Sequence, residues 1–455
     1  MILSTSPSGV RLAELMASLS IATDLGMGQP LEFAFQSCIV SVRLGEKLGM
    51  NDGELRAVYY QSLLRYIGCN AETHLLAAVF GDELSFRRDI IHADATSAGF
   101  LRQSLRAVSA ANAGESPLQL LESIARGLTS AARFTHEFFA GHCEVAERLA
   151  RRLGFDVNMI TAIKQVYARW DGKGIPELKG EAIAPSMLVV SLAQDAVYAY
   201  QLGGVDWAIR LVRQRRGKMY APKHVEAFCK HARELLIEEQ SNWKTVLALE
   251  PGKQRILNQD EFDSACEVIA DFADIKSPYL LGHSSGVARV AESAARKAGL
   301  TEASISEVRR AALLHDVGRV GVSAGIWGKR GPLTESEWEK IRLHPYYTER
   351  VFSRSEKLAT LGKIASMHHE RLDGSGYHRG ATSVMLRQSM RILAAADVYH
   401  ALLETRPHRP VFEPAEASEK LLAEAQAGRL DPEAVSCVLS VRDMPSHHAS
   451  NLQVA

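Results

Sequence analysis

Self-similarity at two fixed offsets constrains this chain more than any single motif. Leu63-Leu64-Arg65-Tyr66-Ile67-Gly68 corresponds to Leu313-Leu314-His315-Asp316-Val317-Gly318 at an offset of 250 residues, which also places Gly49 on Gly299. At an offset of 202, His142 falls on His344, Glu147 on Glu349, Asp171-Gly172 on Asp373-Gly374, Gly174 on Gly376 and Asp195 on Asp397. A chain that repeats itself in this way is expected to fold as two copies of one unit. The fall from 250 to 202 requires about 48 extra residues in the first copy, between Gly68 and Arg133.

Apolar residues recur at three- and four-residue spacing over 286–298, 303–317, 334–353, 357–370, 387–404 and 415–426, and strand-like alternation is scarce. The spacing predicts an all-α fold of tandem duplicated helical domains. Thr334 followed by Glu337 reads as a capping box. A charged helix is expected over about 223–248, and Leu249-Glu250-Pro251-Gly252 breaks the pattern after it. The boundaries that follow are a first repeat at 1–250 with an insertion at about 69–133, a second at 251–443, and an aperiodic polar tail at 444–455 expected to be disordered.

Lys plus Arg equals Asp plus Glu at 53 each, so no bulk field draws the chain to nucleic acid. About 25 residues follow Asp431, fewer than a helix-turn-helix module needs. Direct nucleic-acid binding is not expected. The six cysteines are scattered without a CxxC pair and read as reduced thiols. No signal segment and no apolar run of membrane-spanning length is present, so a cytoplasmic location is expected.

Ten of the 16 histidines lie between His283 and His448. Five segments carry His or Asp beside apolar stretches: His283, His315-Asp316, His344, His368-His369 and Asp397. Ionisable groups in such surroundings are expensive to bury unless they are paired or bound to a cation. Imidazole mixed with carboxylate suits divalent transition metals, iron or manganese foremost, rather than Mg²⁺ or Ca²⁺. Seven ligands imply two ions, with Asp316 the best candidate to bridge them and to help activate a water for in-line attack on phosphorus. The first copy has Phe33, Arg65, Tyr66, Val166 and Tyr167 at five of these positions. Its His142 and Asp195 are expected to be packing or hydrogen-bonding relics.

The run His315-Asp316-Val317-Gly318-Arg319, His344-Pro345, His368-His369-Glu370-Arg371-Leu372-Asp373-Gly374-Ser375-Gly376-Tyr377, Ala396-Asp397-Val398-Tyr399 and Arg406-Pro407-His408-Arg409 resembles the HD-GYP family in order and spacing, over roughly 256–440. The resemblance implies an all-α HD-type fold and hydrolysis of a cyclic dinucleotide, cyclic di-GMP above all, with two or three metal ions. It makes His283, His315, Asp316, His344, His368, His369 and Asp397 the metal ligands, Asp316 and Arg319 the catalytic pair, and Arg319, Tyr377, Arg406 and Arg409 the substrate contacts. Arg319 stands where the family carries a lysine, His378 where it carries proline, and His400 where it carries an acidic residue. Tyr279 replaces the glutamate of trinuclear members, so two ions are expected. Rival readings are a nucleotide-sensing signalling module without turnover and an HD hydrolase of another nucleotide phosphate ester. The first copy offers a pseudo-symmetric surface for docking on the active copy or, in a homo-oligomer, on a second chain.

Overall fold

The computed structural model describes residues 9–90, 102, 104, 106–109 and 141–441. The expected tail at 444–455 and the later part of the expected insertion lie outside them. Among the described residues there are helices and isolated bridges but no strand.

The repeat is visible element by element. Helices Phe33–Lys47 and Asp52–Leu64 recur as His283–Lys297 and Glu302–Leu314, each 250 residues further on. A left-handed residue launches the first helix of each pair, Glu32 at φ 70° and Gly282 at φ 77°. A buried carboxylate ten residues upstream caps each start: Asp24 accepts from the Ala34 N–H at 3.2 Å, and Asp274 from the Ser284 N–H at 2.8 Å. After the second helix both copies turn through a glycine pressed against a neighbouring backbone. A Cβ on Gly68 would sit 2.0 Å from the His142 carbonyl, and one on Gly318 would sit 2.0 Å from the His344 carbonyl.

Helix Leu12–Gly26 is buried nearly all round, its few polar residues included. It packs on its own half through Phe33–Lys47 and Asp52–Leu64, and on the second half through Val317–Gly321 and His344–Phe352. One continuous apolar cluster therefore runs from Val10 to Val438 across both halves. The chain near 249–257 is tied to the N-terminal segment by Leu12 N–H to Arg255 O and Leu257 N–H to Val10 O, both 2.9 Å.

Two expected helices are each divided. The 223–248 pattern becomes Pro222–Leu235 and Asn242–Ala248, because Ser241 caps a new start by accepting from the Lys244 N–H. The 334–353 pattern becomes Glu335–Arg342 and His344–Phe352, and the Thr334–Glu337 capping box forms at its start. No helix among the described residues is long and apolar enough to cross a membrane.

Candidate metal centre

Helix ends deliver most of the seven residues. His283 begins helix His283–Lys297, His315-Asp316 follow helix Glu302–Leu314, and His344 begins helix His344–Phe352. His368-His369 follow helix Glu356–Ala365, and Asp397 projects from the middle of helix Gln388–Leu402. All are buried except His369, which is partly so.

Their arrangement has two lobes about Asp316. Its Oδ2 lies 3.4 Å from His283 Nε2 and 3.0 Å from His315 Nε2; its Oδ1 lies 3.3 Å from His344 Nε2 and 3.4 Å from His368 Nε2. Asp397 joins the first lobe, with Oδ1 3.2 Å from His283 Nε2 and 3.6 Å from His315 Nε2. His369 joins the second. The ligand atoms of His283, His315 and Asp397 lie within 4.8 Å of one another, as do those of His344, His368 and His369.

The backbone fixes which ring nitrogen three of the histidines present. His315, His344 and His368 each point Nδ1 at the carbonyl three residues back, Ala312 at 2.6 Å, Ile341 at 2.6 Å and Ala365 at 2.7 Å. Each Nδ1 must therefore donate, so that in the neutral ring it is Nε2 that carries the lone pair aimed into the cluster.

The donor set fits divalent cations. His315 Nε2 and both Asp316 oxygens are buried without a hydrogen-bond partner, because their close neighbours lie off line. Divalent cations held by these residues would satisfy them. Burial works against a charged His315, yet Asp316 and Asp397 outweigh it and push the imidazole up to about 10. Burial also works against an ionised Asp316, but Arg319 and His315 outweigh it and hold the carboxyl well below the usual range. In the second lobe burial wins: His368 is lowered to about 4, and His344 and His369 are lowered too. That lobe offers neutral imidazoles, whereas in the first a divalent ion would compete with the proton on His315.

Glu404 escaped the sequence reading. Its Oε2 lies 2.8 Å from His283 Nδ1 and accepts from Arg406 Nη2 at 2.6 Å, while Oε1 lies 3.3 Å from His400 Nδ1. His400 occupies the position where an acidic residue was expected, and the carboxylate one helical turn later reaches the histidine instead. That four-residue step was the available signal. His400 packs directly over Gly286, where a Cβ would stand 1.8 Å from its Nε2 and move the ring.

The four expected substrate contacts divide. Arg319 is buried, with Nη1 2.6 Å from Asp316 Oδ2 and its guanidinium 5.1 Å from the centre of the Trp327 ring. Tyr377 lies against the second lobe, its ring centroid 4.4 Å from that of His369. Its loop is held by Glu370, which accepts from the Arg379 and Ala381 N–H groups at 3.1 and 2.9 Å. Arg406 sits by His283 through Glu404 and donates to the Tyr279 carbonyl at 3.2 Å. Arg409 instead donates to the carbonyls of Ala401, Leu402, Glu404 and Pro410 and lies over Phe412. Those bonds commit it to closing its own loop.

All the groups with metal-ligand spacing found among the described residues lie in the second half. In the first, His142 is engaged by Tyr167 Oη at 3.2 Å and the Ala71 carbonyl at 3.1 Å, and burial, helped by Arg87, pushes it down to about 3. Asp195 accepts from Arg215 Nη1 at 2.6 Å and from the Tyr220 hydroxyl. Both have become hydrogen-bonding core residues.

Three comparisons bear on this geometry. A family model described as an HD domain matches residues 267–434. The 3'3'-cGAMP-specific phosphodiesterase 3 of Vibrio cholerae serotype O1 is 30% identical over 436 residues, 93% of this chain and 92% of the relative. The cyclic di-GMP phosphodiesterase response regulator RpfG of Xanthomonas campestris pv. campestris is 30% identical over 57% of this chain and 68% of its own length. Among solved structures, a cyclic GMP-AMP specific phosphodiesterase from V. cholerae, V-cGAP3, superposes with a TM-score of 0.66 at 25% identity, covering 96% of this chain and 99% of that one.

Proposed function

Because this chain belongs to the HD-GYP family of metal-dependent phosphodiesterases, we propose that its second half hydrolyses a 3'3'-linked cyclic dinucleotide, with 3'3'-cGAMP the preferred substrate. The observation that carries the choice is the likeness to a 3'3'-cGAMP-specific enzyme through both halves, whereas the likeness to RpfG covers 57% of the chain. Cyclic di-GMP, the substrate expected from the motif, is the second reading, favoured by relatives bearing that name. A cytoplasmic site of action belongs to the same proposal.

In this reading His283, His315 and Asp397 would hold one divalent ion and His344, His368 and His369 a second, with Asp316 available to both. Iron or manganese suits this mixture of imidazole and carboxylate. When bound, such ions supply a nucleophile at neutral pH and offset charge on the phosphoryl group. Arg319, whose Nη1 lies on Asp316, would supply positive charge to a phosphate oxygen beside it. Tyr377 bounds the substrate next to the second lobe. Arg406 braces Glu404, which fixes the His283 ring, and Arg409 holds the loop on which Arg406 sits.

Metal-replete full-length protein should convert 3'3'-cGAMP to a linear product, and do so faster than cyclic di-GMP, when products are resolved by chromatography. Faster cleavage of cyclic di-GMP reverses the substrate assignment. Both ligands intact after prolonged incubation contradicts the enzyme; tight binding without cleavage would point to a sensing module, and cleavage of a different nucleotide ester to another HD hydrolase.

A further inference from the structure

The start of the expected insertion reaches across to the catalytic half. Helix Thr73–Phe80 packs on the short helix Ala324–Trp327, where a Cβ on Gly325 would stand 2.9 Å from the Gly81 carbonyl. Glu83, opening the next helix Glu83–Ile90, is fully buried. Its Oε2 accepts from Ser323 Oγ at 2.6 Å; its Oε1 accepts from the Ala324 N–H at 2.9 Å and lies 2.9 Å from Lys276 Nζ. Lys276, equally buried, donates to the Val320 carbonyl at 3.1 Å. Burial raises a carboxyl's pKa, but the ammonium, the hydroxyl and the amide outweigh it and keep Glu83 ionised.

This network grips the segment that carries the chemistry. Asp316 leads directly into the turn Val317–Gly321, and the Arg319 N–H donates to the Asp316 carbonyl at 2.9 Å. Further on, Trp327 holds Arg319 twice, by its Nε1–H on the Arg319 carbonyl at 3.3 Å and by its ring face on the guanidinium. Apolar residues of similar volume join two elements at least as well as a buried ion pair does. What they cannot do is set a carbonyl, a hydroxyl and an amide at fixed distances.

We propose that Glu83 is a positioning residue for the phosphodiesterase site. Through Lys276, Ser323 and Ala324 it fixes the segment from Asp316 to Trp327, so the first half, stripped of its own ligands, supplies a part that the second half needs. The inference rests on the reading of Asp316 and Arg319 as catalytic groups given above.

The test uses the full chain and two variants. Glu83→Gln leaves Lys276 buried beside a neutral partner and can fail through folding. The paired Glu83→Leu/Lys276→Met removes both charges and keeps the volume. The paired variant should still fold, melting below the parent because Ser323, Ala324 and Val320 lose partners, with amide exchange over 317–327 accelerated about tenfold or more and the helix His283–Lys297 unchanged. Its kcat/KM should fall about 10- to 100-fold, as expected when catalytic groups are displaced by ångström distances. Adding Arg319→Ala should cost it less than the same change costs the parent, a coupling that general loosening of the fold would not produce. Unchanged exchange over 317–327 overturns the clamp whatever the substrate, and faster exchange with parental kinetics overturns the positioning role. Should the parent cleave no cyclic dinucleotide, the exchange result still decides the clamp, and the functional reading is what fails.

Discussion

Asp316→Ala is expected to lower turnover by more than about 10³-fold, beyond the loss usually seen on deleting one electrostatic contact, and to strip bound metal in the same step. The expectation follows from the division of its carboxylate. One oxygen faces His283 and His315, the other His344 and His368. Asp397 also reaches both lobes, with Oδ1 by His283 and His315 and Oδ2 3.7 Å from His369 Nδ1, but Asp316 alone of the two faces a pair of histidines on each side. Initial rates read beside metal content per chain check it, and a variant that keeps its metal and turns over within tenfold of the parent contradicts it.

Gly318→Ala is expected to destabilise the protein by about 1–3 kcal/mol or more, the range for overpacking a site that cannot relax. A Cβ there would stand 2.0 Å from the His344 carbonyl and 2.6 Å from the Thr348 N–H, both backbone atoms of a helix locked into the core. Relief would displace His344, so metal affinity should fall as well. Gly331→Ala is the control, since nothing lies within 4 Å of a Cβ at that position and its φ is not positive. Denaturant midpoints compare the two, and a Gly318→Ala protein as stable as the Gly331→Ala one would show that the close approach carries no weight.

The features that could be read along the chain are those with local or periodic causes. Helical spacing marked the elements, Thr334 with Glu337 marked a start, and the paired offsets marked the duplication. That the seven His and Asp residues would cluster was readable because each sits at a helix end or in an apolar run, where a charge needs a partner. Glu404 lay one turn past a position already noticed. Glu83 and Lys276 were not readable at all: nothing near either residue in sequence signals a contact that joins the two halves of the chain. Arg409 shows the converse, since a motif supplied a residue type whose donors the loop itself consumes. The 223–248 helix divides because Ser241 offers a competing cap, a choice that periodicity does not weigh.

Anomalous diffraction from crystals of the full chain grown with manganese or iron tests the central claim most directly. The expected map has two peaks flanking Asp316, one among His283, His315 and Asp397 and one among His344, His368 and His369. A map without peaks there, or with metal held by other residues, would contradict the account.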